Sequence, residues 1–335
     1  MEVLILGGTR FLGRAVKDAC LARGDRVTLF HRGLSSEPVK DVENVIGDRD
    51  VDLSAIAHRK WDLVVDPSGY EVSAVRRSAR LDAARYVFVS SISVYADPAN
   101  MAEGAPVQTT EDAEHARLTL ENYGALKAAC EAALAETHAD RLLVVRAGLI
   151  VGPHDNDDRF AWWLRRVARG KEVLAPGEPE APVQIVDARD LARWMVESGV
   201  AAPAAGGTAQ AVTLGTMNAV GDPMPMRELF DAMRAVTKSD ARFTWVPDEI
   251  LVRHQVAPYS EMPFWLPGAR PAPNARAKAG GLAFRPLAET VGDTWAWLQS
   301  GWENESAARE NKRFRVPAGI SEERERRILE EHHGK

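Results

Sequence analysis

Short apolar runs alternate with amphipathic segments along the first half of the chain, and this alternation limits the folds open to it. Strands buried on both faces of a sheet read as continuous apolar runs. Helices between such runs are typical of parallel strands joined by right-handed crossovers. The pattern predicts an α/β protein with a doubly wound parallel sheet. The predicted strands are residues 3–6, 26–30, 42–46, 63–65, 86–89 and 142–146, and the predicted helices are 11–23, 51–58, 72–82 and 119–137.

The alternation stops after Gly152, where a smaller second lobe is indicated. We expect residues 1–155 to form the first domain, with 180–215 returning to it. Residues 156–179 and 216–302 then form the second lobe, and 303–335 form a charged tail that could dock weakly or be mobile. The helices predicted in this part are 160–169, 226–237, 287–298 and 321–331.

Composition argues against several classes of partner. The chain has 335 residues and a formal net charge of −6, whereas binding to nucleic acid or to anionic membranes needs a positive field. Cys20 and Cys130 form no disulfide or metal-ligand pattern. The N-terminal segment shows no basic leader and no apolar run long enough to span a membrane. We expect a cytoplasmic protein that binds neither nucleic acid nor membrane.

The segment ILGGTRFLGRA, residues 5–15, joins the first predicted strand to the first predicted helix. Gly7, Gly8 and Gly13 allow the backbone to turn tightly and approach a phosphate. The N-terminus of the following helix offers N–H groups and positive dipole character to an anion. Glycine turns also occur where nothing binds, but a strand, this turn and a helix in sequence favour a dinucleotide site in a Rossmann fold.

Two arginines bear on the choice of dinucleotide. Enzymes that use NAD usually carry Asp or Glu at the end of the second strand, where it binds the ribose 2′-hydroxyl. Here His31 holds that place and Arg32 follows it, while Arg10 stands in the glycine turn. Guanidinium groups bind phosphate through paired charge-assisted hydrogen bonds. We predict NADP(H) as the preferred cofactor and NAD(H) as the other candidate, unless both arginines are solvated surface residues.

A tyrosine, a lysine and a run of serines point to proton transfer. Tyr123 and Lys127 are four residues apart on a predicted helix and share one face. The strand 86–89 ends in the hydroxyl-rich segment YVFVSSISVY. A phenol with a pKa of about 10 is a poor base at neutral pH, but a nearby ammonium lowers that pKa. Such a phenol can exchange the proton that accompanies hydride transfer, unless the pair is an ordinary feature of an amphipathic helix.

These motifs together resemble the short-chain dehydrogenase/reductase superfamily on its extended side, the NAD-dependent epimerase/dehydratase family with its reductase-like subgroup. The matching segments lie in the first 155 residues, and two later ones extend the similarity almost to Ser300. The segments are GGTRFLG, IGDRD, VVDPSGY, VSSISVY, YGALK and RAGLIVGP, followed by QIVDARDLA and LAFRPLAETVGDTWAWL.

The resemblance implies roles for single residues. It makes Tyr123 the proton donor or acceptor and Lys127 its electrostatic partner and ribose anchor. It makes Ser91, rather than Ser90 or Ser93, the catalytic hydroxyl. The other cofactor-binding residues that it implies are Gly7, Thr9, Arg10, Phe11, Leu12 and Gly13 at the pyrophosphate, Asp48 and Arg49 at the adenine, Ser68 and Gly69 beside the ribose, and Ala147 and Leu149 at the nicotinamide amide.

Three departures from the family pattern bear on function. Arg10 replaces a glycine, as in shorter NADP(H)-using relatives that carry a basic residue there. VDPSGY replaces an apolar-Ala-Gly motif and resembles a subgroup that includes chloroplast stem-loop RNA-binding proteins and bacterial reductase-like proteins. Val183 stands where relatives that act on nucleotide sugars usually carry arginine, which argues against a sugar diphosphate as the substrate.

We expect a small-molecule substrate at the carboxyl ends of the strands, next to the second lobe. The candidate substrate residues are Tyr70, Ser91, His154 and Arg159. The run HDNDDR, residues 154–159, could be a metal site, but no partner ligand has suitable spacing, so we expect no metal. The nearby FAWW is expected to pack its rings into the core.

Three functions are compatible with the sequence. The first is an NADP(H)-dependent oxidoreductase that reduces a carbonyl, or oxidises an alcohol, of a small polar molecule. The second is an epimerase or dehydratase of a sugar-like substrate, which returns the hydride in each turnover and so consumes no NADPH. The third, a non-catalytic nucleotide-sensing or RNA-binding protein, is opposed by the net charge and by the complete set of Ser91, Tyr123 and Lys127. The resemblance also implies a homodimer, but the charged segment VSAVRRSARLDA leaves the oligomeric state open.

Overall fold

The computed structural model describes residues 1–34, 39–155, 157–200, 214–300 and 318–334, which form two compact units. Unit 1 comprises Met1–Ile150, Val186–Gly221 and Ala272–Phe284. Unit 2 comprises Val151–Ile185, Asp222–Pro271 and Arg285–Lys335. The predicted division is corrected at its bounds: residues 151–155 and 180–185 and the described tail residues 318–334 belong to unit 2, whereas residues 216–221 and 272–284 belong to unit 1.

The described residues of the two units form the following strands and helices, numbered along the chain. The strands are β1 (Glu2–Leu6), β2 (Arg26–His31), β3 (Glu43–Ile46), β4 (Lys60–Trp61), β5 (Leu63–Asp66), β6 (Asp82–Ala83), β7 (Tyr86–Ser91), β8 (Leu142–Ala147), β9 (Leu149–Val151), β10 (Glu172–Pro176), β11 (Pro182–Val183), β12 (Ile185–Asp187), β13 (Gly215–Ala219), β14 (Met224–Pro225) and β15 (Arg242–Val246). The helices are α1 (Phe11–Ala22), α2 (Ser54–Ala57), α3 (Val72–Ser78), α4 (Tyr123–His138), α5 (Arg159–Ala168), α6 (Ala188–Val200), α7 (Met226–Thr237), α8 (Asp248–Arg253), α9 (Ala275–Ala279), α10 (Leu287–Gln299) and α11 (Glu322–His332).

Seven parallel strands form the sheet of unit 1, in the order β13, β8, β7, β5, β1, β2, β3. Val3 on β1 lies opposite Val27 on β2 and Leu63 on β5. The chain order reverses between β1 and β5, so the loops that follow these strands border the crevice where doubly wound sheets bind ligands. The predicted α/β fold class is confirmed. Strand β13 was not predicted, because its sequence GTMNA contains a single large apolar residue.

Helices cover both faces of this sheet. Helices α1 and α6 pack on one face, and α3 and α4 pack on the other. Each large apolar side chain buried in these layers contributes about 1.5–3 kcal/mol relative to exposure. Trp194 of α6 donates from Nε1 to the carbonyl oxygen of Gly280 at 3.0 Å, and Ala277 and Leu282 are buried in the same core. These contacts explain why residues 272–284 belong to unit 1.

An aromatic core holds unit 2 together. The rings of Trp163 on α5 and Phe230 on α7 have centroids 4.5 Å apart, and Phe230 stacks on Trp245 of β15. Trp163 also donates from Nε1 to the carbonyl oxygen of Pro263 at 2.8 Å. The prediction that FAWW packs into the core is confirmed for Phe160 and Trp163, both fully buried.

Helix α11 docks on unit 2. Ser321 caps it by accepting a hydrogen bond from the N–H of Arg324 at 3.3 Å, and Ile328 and Leu329 are buried. Glu325 forms a buried ion pair with Arg166 of α5 at 2.8 Å. Removing one partner of such a pair costs about 3–5 kcal/mol. The described part of the tail is therefore an integral element of unit 2, while residues 303–317 lie outside the described residues. No helix in the described ranges is long and apolar enough to cross a membrane.

Candidate active site

The glycine turn after β1 has the backbone shape that its sequence predicts. Gly7 and Gly8 have φ angles of +117° and +90°, which residues with a side chain rarely adopt. A Cβ on Gly13 would lie 2.8 Å from the backbone nitrogen of Gly8, so glycine lets α1 pack close to the turn. Arg10 is the N-cap of α1 and makes no side-chain capping bond. The turn and the uncapped helix N-terminus fit the pyrophosphate of a dinucleotide.

The other predicted cofactor-binding residues of this turn differ in how deeply their side chains are buried. Phe11 begins α1 with a φ of +33° and packs at the edge of the core. The Leu12 side chain is buried in the core, so that only its backbone N–H is suited to a phosphate. Thr9 is half-buried between Gly8 and Arg10.

Arg10 and Arg32 come from different segments and lie close enough to repel each other. Burial lowers the pKa of the Arg10 guanidinium, and the positive charge of Arg32 lowers it further. His31 is buried at the end of β2, with Nε2 3.0 Å from Oδ1 of Asn44 and Nδ1 accepting the N–H of Gly33 at 3.1 Å. Neighbouring protein groups thus hold the His31 imidazole. The guanidinium groups of Arg10 and Arg32 lie in one region, where a bound anion would offset their mutual repulsion.

The Arg49 side chain is bound by neighbouring polar groups of unit 1. Its guanidinium donates to both carboxylate oxygens of Asp66 at 2.7 Å and to Oγ of Ser78 at 2.8 Å. Burial favours a raised pKa for the Asp66 carboxyl, but the charge and hydrogen bonds of Arg49 outweigh burial and lower that pKa. Asp48 caps its own turn, because Oδ1 accepts the N–H of Asp50 at 2.9 Å. The Arg49 guanidinium is thus held by Asp66 and Ser78, and the predicted place of Asp48 and Arg49 at the adenine stays a prediction.

The motif VDPSGY shapes the end of β5. Ser68 donates from Oγ to the carbonyl oxygen of Leu6 at 2.6 Å, which ties this loop to the end of β1. A Cβ on Gly69 would lie 2.7 Å from the Phe88 ring and 2.8 Å from Oδ2 of Asp66. Ser68 thus lies beside the glycine turn, and the predicted place of Ser68 and Gly69 next to the ribose stays a prediction. Tyr70 follows, with its ring centroid 6.4 Å from that of Tyr123.

Helix α4 meets the segment after β7 at its first turn. A Cβ on Gly124 would overlap the carbonyl oxygen of Ser93, so Gly124 allows this close approach. Ser91 is buried and accepts the N–H of Ser93 on Oγ at 3.1 Å, which leaves its O–H able to donate. Tyr123, half-buried, begins the helix directly before Gly124. The structure therefore brings the Ser91 turn and the N-terminus of α4 together.

Lys127 lies one turn further along α4, with 1% of its surface exposed. Its Nζ donates to the carbonyl oxygens of Gly69, at 2.7 Å, and of Val89. Burial lowers the pKa of Lys127 to about 8, against opposing contributions from Cys130, Asp66 and Glu131. A lysine with this pKa carries its positive charge at neutral pH, and it follows the tyrosine that it is predicted to activate by one helical turn.

A buried polar network behind the site was missed by sequence reasoning. Arg146 on β8 donates to both oxygens of Glu131, at 2.7 Å from Nη2, and Ser90 also donates to Glu131. Arg146 lies 4.8 Å from the ring centroid of Tyr95. Glu131 follows Tyr123 and Lys127 at a spacing of four on the same face of α4, and that spacing was the available signal. The network joins α4 to the ends of β7 and β8.

The strand end predicted to receive the nicotinamide is in register with the Ser91 strand. Ala147 ends β8 opposite Ser91 and is buried. Leu149 begins β9 and is half-buried. A Cβ on Gly148, between them, would lie 2.8 Å from Val220. Their predicted contacts with the cofactor stay predictions.

The remaining predicted substrate residues belong to unit 2. The His154 ring packs against that of Trp297, with centroids 5.3 Å apart. Arg159 lies 3.9 Å from the ring centroid of Tyr259 and pairs with Asp157 at 3.1 Å. Arg159 and Asp157 thus bind each other, and no group of three or more His, Cys, Asp or Glu among the described residues is arranged to hold a metal ion.

Comparisons with known proteins agree with this geometry. Residues 58–214 match the model of the NAD dependent epimerase/dehydratase family. Among curated proteins, the chloroplast stem-loop binding protein of 41 kDa b from Arabidopsis thaliana is 26% identical over 210 residues, or 57% of this chain. The match spans about half, 53%, of that relative.

Solved structures show the same fold at low sequence identity. The enzyme WbmH of Bordetella bronchiseptica, in complex with NAD⁺, is 18% identical with a TM-score of 0.64, over 90% of this chain and 99% of that one. UDP-glucuronic acid 4-epimerase of Bacillus cereus, in complex with NAD, is 12% identical with a TM-score of 0.65, over 92% and 99%. The resemblance inferred from the motifs is confirmed, because residues 58–214 match the model of the NAD dependent epimerase/dehydratase family and the solved structures share its fold.

Proposed function

We propose that this chain is a pyridine-dinucleotide-dependent enzyme of the epimerase/dehydratase type that acts on a hydroxyl-bearing, sugar-like small molecule. The observation that carries the proposal is the meeting of α4 with the end of β7, where Tyr123 and Lys127 lie beside the Ser91 turn. The family match and the sugar epimerases among similar structures support this reaction class over net carbonyl reduction, the first hypothesis from the sequence.

In this proposal, different residues of unit 1 bind the cofactor, transfer the proton and orient the substrate. The turn at Gly7, Gly8 and Gly13 and the N-terminus of α1 would hold the pyrophosphate. When bound, a pyridine dinucleotide supplies a reversible hydride acceptor. Tyr123 takes the proton from the substrate hydroxyl and returns it, because the Lys127 ammonium stabilises the phenolate. Ser91 donates its O–H to the substrate oxygen and orients it.

The decisive experiment separates transient from net hydride transfer. The purified protein is incubated with NAD⁺ or NADP⁺ and a panel of sugars, sugar phosphates and nucleotide sugars deuterated at their carbinol carbons. We expect epimerised or dehydrated product that retains deuterium, without accumulation of reduced cofactor. Tyr123→Phe should slow turnover about 10²–10⁴-fold while cofactor binding persists. Stoichiometric accumulation of reduced cofactor would instead assign a net oxidoreductase.

The substrate class within this proposal follows from Val183. This residue is buried in β11 and brings no charge to the place where nucleotide-sugar relatives usually carry arginine. We therefore propose a sugar-like substrate without a diphosphate. Turnover of a UDP-sugar, with no activity on free sugars or sugar phosphates, would contradict this part.

The preference for NAD(H) or NADP(H) is a proposal, and separate observations support each cofactor. The names of similar solved structures include NAD, which supports NAD(H). The mutual repulsion of Arg10 and Arg32 supports a site for the 2′-phosphate of NADP(H). Calorimetric titration of the purified protein with each cofactor decides between them, and tighter binding of NAD(H) would refute the NADP(H) preference.

The named relative that binds a chloroplast stem-loop gives RNA binding as a second candidate. The net charge of −6 opposes it, because RNA binding needs a positive surface field. If Tyr123→Phe left the biological activity of the protein unchanged, the RNA-binding candidate would gain over catalysis.

A further inference from the structure

The ammonium of Lys127 lies between two aromatic rings. Its Nζ is 4.2 Å from the ring centroid of Phe88 and 5.1 Å from that of Tyr70. Attraction between a cation and a ring face acts within about 6 Å and strengthens when both groups are removed from water. Lys127 is 1% exposed, and its hydrogen-bond acceptors, the carbonyl oxygens of Gly69 and Val89, are neutral. The faces of the two rings therefore add negative electrostatic potential at the ammonium, beside that of the two backbone carbonyl dipoles.

The nearby carboxylates are already neutralised by other cations. Asp66 is bonded to Arg49 through both oxygens, and Glu131 is bonded to Arg146 in the same way. Each ion pair has little net charge and therefore attracts the Lys127 ammonium only weakly. The two ring faces then account for a larger share of the electrostatic stabilisation of this ammonium. The titratable and charged groups around Lys127 are Tyr70 after β5, Asp66 on β5, Arg49 before α2, and Tyr123, Cys130 and Glu131 on α4.

The two rings differ in what else they do. Phe88 is a fully buried residue of β7 that packs in the core with Val144 and Leu126. Tyr70 is half-buried, follows the loop at Gly69, and has its ring 6.4 Å from that of Tyr123. Tyr70 is thus the ring that borders both the lysine and the predicted proton-transfer tyrosine, and it stands in the VDPSGY motif that departs from the family pattern.

We propose that Tyr70 is a positioning residue whose ring face holds the Lys127 ammonium charged and in place beside Tyr123. The inference rests on the proposed role of Lys127 in acidifying the phenol. Burial already lowers the pKa of Lys127 to about 8, so loss of the ring should lower that pKa further and bring deprotonation of the ammonium into the neutral range. Tyr70 would then set the upper pH limit at which the site works.

The test replaces Tyr70 by phenylalanine and by phenylalanines with one, two and three ring fluorines. Fluorine withdraws electron density from the ring face with little change in shape, so the series varies the attraction and preserves the packing. The chain has nine lysines, so carbon-13 labelling at lysine Cε gives few NMR signals, and Lys127→Arg identifies the one of interest. The midpoint of its pH titration is the measured quantity.

We expect the Lys127 midpoint to fall in steps along the series, by about one pH unit at the third fluorine, while Tyr70→Phe stays near the natural protein. Tyr70→Leu should shift it at least as far. The same series at Tyr259, a residue of unit 2, is the matched control and should leave the midpoint unchanged. A flat series at position 70 would overturn the proposal even if Tyr70→Leu failed to fold.

The titration needs neither substrate nor turnover, so it separates this inference from the proposed function. A stepwise shift in a protein that epimerises nothing would uphold the role of the ring and refute the reaction. In an active protein, the alkaline limit of turnover should move with the Lys127 midpoint.

Discussion

The carbonyl oxygen of Ser93 occupies the space that a side chain at position 124 would need. The same oxygen accepts a hydrogen bond from Nε2 of Gln108 at 2.8 Å, so the segment after β7 is held on a second side. Gly124 directly follows Tyr123 on α4. The position of the predicted proton-transfer tyrosine therefore depends on a glycine that carries no chemistry of its own.

Replacing Gly124 by alanine should displace the start of α4. We expect the free energy of unfolding to fall by about 1–3 kcal/mol, because overpacking against backbone forces the helix to shift, and turnover should fall with it. Gly104→Ala is the matched control, since no atom lies within 4 Å of a Cβ there, and it should change stability by less than about 0.5 kcal/mol. Urea unfolding measures both variants. Equal stabilities would contradict the close approach of α4.

Lys127 should make stability depend on alkaline pH. Its pKa of about 8 in the folded protein lies below the value of about 10.4 expected when unfolded. Between these values the unfolded chain binds more protons, so this residue's contribution to the free energy of unfolding rises with pH. The natural protein should gain about 3 kcal/mol relative to Lys127→Met between pH 7.5 and pH 10.5.

Urea unfolding of both proteins across this pH range checks the sign. The effect on turnover should be opposite, because the catalytic role needs the charged lysine and activity should decline above about pH 8. A stability difference that stays constant with pH would show that Lys127 has the same pKa in both states.

The ion pair of Arg49 with Asp66 should be costly to break from one side. Arg49→Met leaves the Asp66 carboxylate buried without its partner, and we expect a loss of about 3–5 kcal/mol. The double variant Arg49→Met, Asp66→Leu should recover part of this loss. The exposed pair of Arg76 with Glu136 is the control, and Glu136→Gln should have no measurable effect. Additive losses in the double-mutant cycle would argue against coupling.

The two arginines near the glycine turn should discriminate between the cofactors. Arg10→Ala and Arg32→Ala should each raise the Kd for NADP(H) about 10–100-fold, the value of a charge-assisted hydrogen bond, and leave that for NAD(H) nearly unchanged. Arg14→Ala, an exposed arginine on α1, serves as the control. Equal losses for both cofactors would place the arginines at the shared pyrophosphate instead.

Local sequence patterns were sufficient to predict the strands that are buried on both faces of the sheet, because such strands are continuous apolar runs. All six predicted strands of the sheet are present, with ends within two residues of their predicted positions. The helix predicted at 51–58 is only α2 (Ser54–Ala57), because an Asp48 turn precedes it and the chain then enters β4. Strand β13 pairs with β8 despite its weak sequence, since a place at the sheet edge supplies the hydrogen bonds.

The sequence also placed Tyr123 and Lys127 on one helix face, because a spacing of four is a local property of helices. It could not show that Arg49 turns inward to Asp66, since these residues are seventeen apart and meet only across the packed sheet. Sequence alone thus determined the strands, the glycine turn and the order of the reactive residues. The tertiary structure decided which charges are paired and which ring lies against Lys127, because burial and distance between remote segments set those interactions.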